Sequence, residues 1–190
     1  MFSLDSLEVT NEEIKIDTSV SHVSLVIHEQ LLNDFFNNIG KIKGNSSGSS
    51  IDYEWSLMKP RIEIHPEEAL FFAKINAKTD VFSITRDVEG SVKVIYNEEE
   101  NIIEVSIDKA DVILDVNLFG KNVLLGEIDI AKYFTKSFVF EGLKSYNNEI
   151  DFTLPNANEK KINVQTKTYE LVLLEDMIQL TVEFNFKEID

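Results

Sequence analysis

The 190-residue chain contains no cysteine, which excludes a disulfide framework, a thiolate metal site and a cysteine nucleophile. It is also poor in basic charge, with 18 Lys+Arg against 34 Asp+Glu and a formal net charge of -16. A nucleic-acid binder must neutralise several phosphates with Lys and Arg, and no stretch here gathers more than the adjacent Lys160 and Lys161. Nucleic acid is therefore excluded as a partner, and lasting attachment to an anionic membrane surface is disfavoured. No run approaches the ~18 apolar residues of a membrane span, so stable membrane insertion is not expected. The opening MFSLDSLEVTNEE has neither a basic n-region nor an apolar h-region, unlike a secretory signal. The expectation is a soluble, cytoplasmic chain, although a removed export signal would leave the same sequence.

Hydrophobic residues make up 43% of the chain, with 13 Phe, far from the profile of a disordered polymer despite the charge. The length matches a single domain, 1–190, burying about 70% of its unfolded surface. Ile14, Ile16, Thr18 and Val20 alternate as in a half-buried strand, and Val23–Ile27 follows as a second. Residues 28–39 bring Leu31, Leu32, Phe35, Phe36 and Ile39 to one side of an amphipathic helix of about 12 residues, or ~18 Å. Glu29 lies in its first turn, where the dipole favours an anion, and Gly40 stands where a glycine ends a helix. Residues 44–50, GNSSGSS, read as a flexible loop.

Beyond the loop the period is two. Ile51, Tyr53, Trp55 and Leu57 alternate, Pro60 interrupts, and Ile62 and Ile64 resume before a turn at His65-Pro66-Glu67-Glu68. Ala69, Phe71, Ala73, Ile75 and Ala77 form one inward face; Val88–Tyr96 and Ile103–Ile107 form a hairpin about an acidic turn. The alternation then changes parity near Asp108 and Lys109, which predicts a β-bulge. A short helix or turn is expected near Ile130–Phe138, followed by strands at Ile150–Leu154, Ile162–Leu174 and Ile178–Phe186. The expected fold is α+β: a long, strongly curved antiparallel meander wrapped around one main helix.

Motifs that would carry chemistry are weak. Gly44-Asn45-Ser46-Ser47-Gly48 fits G-x-S-x-G, but a helix enters and a strand leaves, the reverse of a nucleophile elbow. Ser56-Leu57-Met58-Lys59 fits S-x-x-K without the K-T-G that should accompany it. His22, His28 and His65 lack ligand spacing. Asp108, Asp111, Asp115, Glu127 and Asp129 supply carboxylates for acid/base work or calcium, yet without EF-hand spacing they read as a solvated sheet face. No enzyme activity, metal or cofactor is expected.

The apolar inventory is the stronger signal. Leu31, Leu32, Phe35, Phe36, Ile39, Trp55, Phe71 and Phe72 exceed what one face of a short helix needs, which fits either a plain core or an apolar cavity between helix and sheet. The layout resembles the tubular lipid-binding (TULIP) superfamily, which includes bactericidal/permeability-increasing-like proteins, small bacterial lipoproteins and proteins of clostridial toxin gene clusters. The resemblance rests on VSLVIHEQLLNDFFNNIG, PRIEI, ALFFAKINAKTD, the long strands VEGSVKVIY and IIEVSIDKADVILDVNLFG, and the closing LVLLEDMIQLTVEFNF. It implies a curved sheet around a helix with space for lipid chains, lined by Leu32, Phe35, Phe36, Ile39, Phe71, Ala73 and Ile75, to which the inventory adds Trp55. Two functional expectations follow: a non-enzymatic module holding a lipid or other apolar small molecule, or an interaction module with a filled core that meets a protein partner through acidic surfaces.

Overall fold

The computed structural model describes residues 21–39, 41–46, 51–118, 120–153 and 159–189. The expected strand at Ile14–Val20, the helix stop at Gly40, residues 47–50 of the Gly/Ser stretch and most of the turn PNANEK lie outside the described residues.

The described residues are mostly curved antiparallel sheet with one α-helix. A six-stranded sheet carries β2 (Lys43–Ser46), β3 (Tyr53–His65), β4 (Glu68–Lys78), β5 (Ser83–Asn97), β6 (Ile102–Lys109) and β9 (Phe138–Glu141) in spatial order. A four-stranded sheet runs β1 (Val23–His28), β12 (Met177–Ile189), β11 (Glu159–Leu174) and β10 (Asn147–Thr153), while β7 (Asp111–Leu118) and β8 (Lys121–Asp129) pair with each other as a two-stranded sheet. The helix α1 (Glu29–Asn38) joins the first two sheets, and a 3₁₀ turn, Ala131–Tyr133, follows β8.

Alternation decides the inner faces. Ala69, Phe71, Ala73, Ile75 and Ala77 of β4 are all buried, as are Ile62 and Ile64 of β3, Ile103 and Val105 of β6, and Ile178, Leu180 and Val182 of β12. Among the described residues no polar or charged residue is buried. The parity change of the sequence is a register slip: Ser91 faces Lys109 and Val92 faces Ile107, so Asp108 is the extra residue. After Ala110 the chain leaves the large sheet to build the β7–β8 hairpin.

Three expectations are corrected and a fourth is made definite. Gly44–Ser46 is strand β2 paired to Trp55, Glu54 and Tyr53, not loop, because the open edge of β3 offers its backbone partners there. Pro60 does not divide β3, since a bulge between Met58 and Arg61, with Lys59 at φ 51, absorbs it. The short helix or turn expected near Ile130–Phe138 is the 3₁₀ turn, with Phe138 opening β9. The helical stripe is narrower than drawn: Leu32 and Phe36 are buried, whereas Leu31, Phe35 and Ile39 are exposed.

The helix is seated by polar side chains. Asn33 Nδ2 donates to the Ile62 carbonyl at 2.9 Å and its Oδ1 accepts from the Ile62 N–H at 2.8 Å. Glu29 accepts from the Ile64 N–H at 2.9 Å, and the Asp176 N–H donates to the Ile64 carbonyl at 2.9 Å. Beyond the reach of β2, the edge of β3 thus finds its partners in α1 and in the β11–β12 turn.

Candidate functional site

The residues expected to line a helix–sheet cavity divide into three groups. Leu32, Phe36, Phe71, Ala73 and Ile75 are buried at the junction of α1 with the large sheet. There the Phe36 ring lies 6.0 Å from Phe71, 5.6 Å from Phe134 and 5.5 Å from Phe138, and Phe71 lies 5.6 Å from Phe134. These centroid separations belong to rings in mutual contact. Phe35 and Ile39 sit on the outer side of the helix, with Phe35 49% exposed and its ring edge-to-face with Phe138 at 4.8 Å. Trp55 is elsewhere, at the start of β3 beside β2 and the 3₁₀ turn.

Around Trp55 the chain builds an open cleft of about 500 Å³, lined by Asn45, Ser46, Tyr53, Trp55, Asp111, Glu127, Ile128, Asp129, Lys132 and Tyr133. Its floor is aromatic because two glycines admit the rings. A Cβ on Gly44 would stand 2.5 Å from Trp55 Cζ2, and one on Gly126 would stand 2.7 Å from the Tyr53 hydroxyl oxygen. Tyr133, 49% exposed, stands edge-to-face on Trp55 at 4.9 Å. Tyr53 is 4% exposed, and its hydroxyl has no hydrogen-bond partner among the described residues.

The rim is acidic. Asp111 and Asp129 face each other across β7 and β8, and Glu127 shares their side of the hairpin two residues from Asp129. Like charges directly opposite repel, and Lys132 relieves them: its Nζ lies 3.0 Å from Asp129 Oδ2, and its N–H donates to Asp129 Oδ1 at 3.3 Å. The side-chain hydrogen bond from Lys132 holds the Asp129 carboxyl below its usual range. The same bond raises Lys132, and the nearby charges of Asp111 and Glu127 raise it further.

No known protein family, curated protein or solved structure matches the chain. The geometry alone must therefore carry the functional reading.

The cleft continues on both sides. Asn45, Ser46 and Tyr53 also line a neighbouring depression with Asp52, Glu54 and Asp80, and Asp111, Asp129 and Lys132 line another with Asp108. Of the acidic residues singled out in the sequence, Asp108, Asp111, Glu127 and Asp129 come to this band, whereas Asp115 turns to Arg86 at 2.8 Å. Among the described residues no group of His, Asp and Glu has an arrangement that would hold a metal ion. The histidines stay apart: His22 accepts from the Phe184 N–H at 2.9 Å, His28 precedes α1, and His65 lies 3.2 Å from Glu175. Tyr53, Tyr133 and Lys132 escaped the sequence reading. An isolated glycine in a strand is the signal for close approach of another group, and Gly126 was the available clue.

Proposed function

We propose that this chain is a non-enzymatic interaction module with a filled core, which docks a basic segment of a protein partner along its acidic band. The observation that carries the reading is the joining of three depressions by shared lining residues, with Asp52, Glu54, Asp80, Asp108, Asp111, Glu127 and Asp129 facing Lys78, Lys109 and Lys132. Carboxylates in excess along a groove attract a cationic polymer and fix its placement. The net charge of -16 acts in the same direction at long range. Titration with a lysine octapeptide tests it: binding at low ionic strength, lost at high ionic strength and weakened by the Asp111→Asn/Glu127→Gln double substitution, is expected. Absence of binding at both ionic strengths would refute it.

A second reading, capture of a lipid or other apolar molecule in the manner the TULIP resemblance implies, rests on a different surface. Leu31, Phe35 and Ile39 form an exposed stripe on α1, and Phe35 meets Phe138 on β9, next to the exposed Val139. Native mass spectrometry after incubation with mixed lipids distinguishes it: a lipid-sized adduct lost in Phe35→Asp supports this reading, and a bare mass near 21.7 kDa counts against it.

A further inference from the structure

We infer that the outer edge of β10 docks an extended segment of a partner protein, which adds as a further strand and carries Lys or Arg at alternate positions with apolar residues between them. This surface is separate from the acidic band, since no residue of β10 lines the three depressions. The backbone comes first. β10 ends the four-stranded sheet and, among the described residues, pairs with β11 alone. The Thr166 N–H donates to the Tyr146 carbonyl at 2.8 Å. By alternation, Asn148, Ile150 and Phe152 then turn their backbone groups to β11, and Asn147, Glu149, Asp151 and Thr153 turn theirs to the open edge. A row of N–H and C=O groups at a sheet edge is a template for another strand.

The side chains decide which strand. Asn147, Asn148, Glu149, Ile150, Asp151 and Thr153 are all exposed. A second copy of β10 is a poor occupant. Every antiparallel register that joins the open-edge groups of two copies over most of the strand sets Glu149 opposite Glu149, Glu149 opposite Asp151, or Asp151 opposite Asp151, and like charges directly opposite repel. The same two carboxylates favour a strand that brings cations to those positions. Lys161, 3.8 Å from Asp151, lies on the inner side of β10, and Glu149 faces the uncharged Asn163, so the acidic row stands nearest to an incoming strand. Between the two carboxylates, Ile150 points to the other face with 45% of its surface exposed. It stands opposite Ile162, and the exposed Phe186, opposite Val164, lies on the same face. An apolar partner residue opposite Ile150 extends that apolar face, which gives the alternation of cation and apolar side chain.

The test titrates the full chain at low ionic strength with two heptapeptides of the same composition, one alternating lysine and valine, the other with its lysines and valines in separate blocks. Calorimetry and amide hydrogen exchange follow the binding. Equal charge makes long-range attraction the same for both peptides. The alternating peptide is expected to bind about tenfold tighter and to slow exchange at the Glu149 and Asp151 amides. Asp151→Asn should weaken it by a few-fold. Asp151→Pro removes an outward N–H while keeping the bonds to β11, and should abolish the advantage over the blocked peptide. The Asp111→Asn/Glu127→Gln substitution should leave that advantage unchanged, so failure of the acidic band and failure of this edge are read separately. Equal affinities of the two peptides, an advantage that survives Asp151→Pro, or unchanged exchange at both amides would overturn the edge site. So would amides already slowed before peptide is added, whether by self-association or by another part of this chain.

Discussion

Phe71 shows how much a single side chain of β4 carries. It is fully buried between Phe36 at 6.0 Å and Phe134 at 5.6 Å, and a rigid sheet on one side and a pinned helix on the other leave little freedom to close a void. Phe71→Ala should therefore cost about 3–5 kcal/mol, measured as a lowered midpoint of denaturant unfolding. Tyr96 makes a pH-dependent contribution. Burial, and next the adjoining Tyr169, push its hydroxyl up to about 12 from 10.0, while the hydroxyl donates to Asn101 Oδ1 at 2.9 Å. Between those two values the folded chain holds a proton that the unfolded chain has released, so stability falls as pH rises from 10 to 12. In Tyr96→Phe this alkaline loss should be absent, and the gap between the two denaturation midpoints should narrow across the window.

The helix is an element whose apolar and polar faces both do structural work. The periodicity of Leu32 and Phe36 finds the buried side, but the same pattern offered Leu31, Phe35 and Ile39 equally, and the structure leaves these exposed. The choice is made by β3, whose edge residues Ile62 and Ile64 need backbone partners that β2 is too short to supply; Asn33 and Glu29 provide them, which rotates the helix to its observed face. Asn33→Ala should cost about 1–3 kcal/mol by leaving the Ile62 amide and carbonyl unpaired. The direct check is amide hydrogen exchange, with Ile62 accelerated more than its neighbours in β3.

At the scale of the whole molecule, the excess of carboxylates acts on stability and on binding with opposite signs. A net charge of -16 makes the compact state repel itself, so added salt should raise the thermal midpoint by screening that repulsion. The same screening should weaken the lysine octapeptide. A thermal midpoint that falls with moderate salt would show that local ion pairs, such as Lys167–Glu183 at 2.8 Å and Arg86–Asp115 at 2.8 Å, outweigh the global repulsion.

Much of this protein was legible in one dimension, because a strand's inner face is written by alternation every second residue. The faces of β3 and β4, the hairpins β5–β6 and β11–β12, the bulge at Asp108 and the position of α1 all follow from that local rule and from helical spacing. β8 and β9 did not, since Lys121–Asp129 and Phe138–Glu141 acquire their strand character from partners rather than from a clean pattern. Nor did the cleft, where Tyr53, Trp55, Asp111, Glu127 and Tyr133 meet from β3, β7, β8 and the 3₁₀ turn. The sequence alone determined charge, strand faces and the helix, all properties of residues a few positions apart. Only the tertiary structure decided which carboxylates converge and which ring faces stay open, because those distances depend on how separate strands are brought side by side.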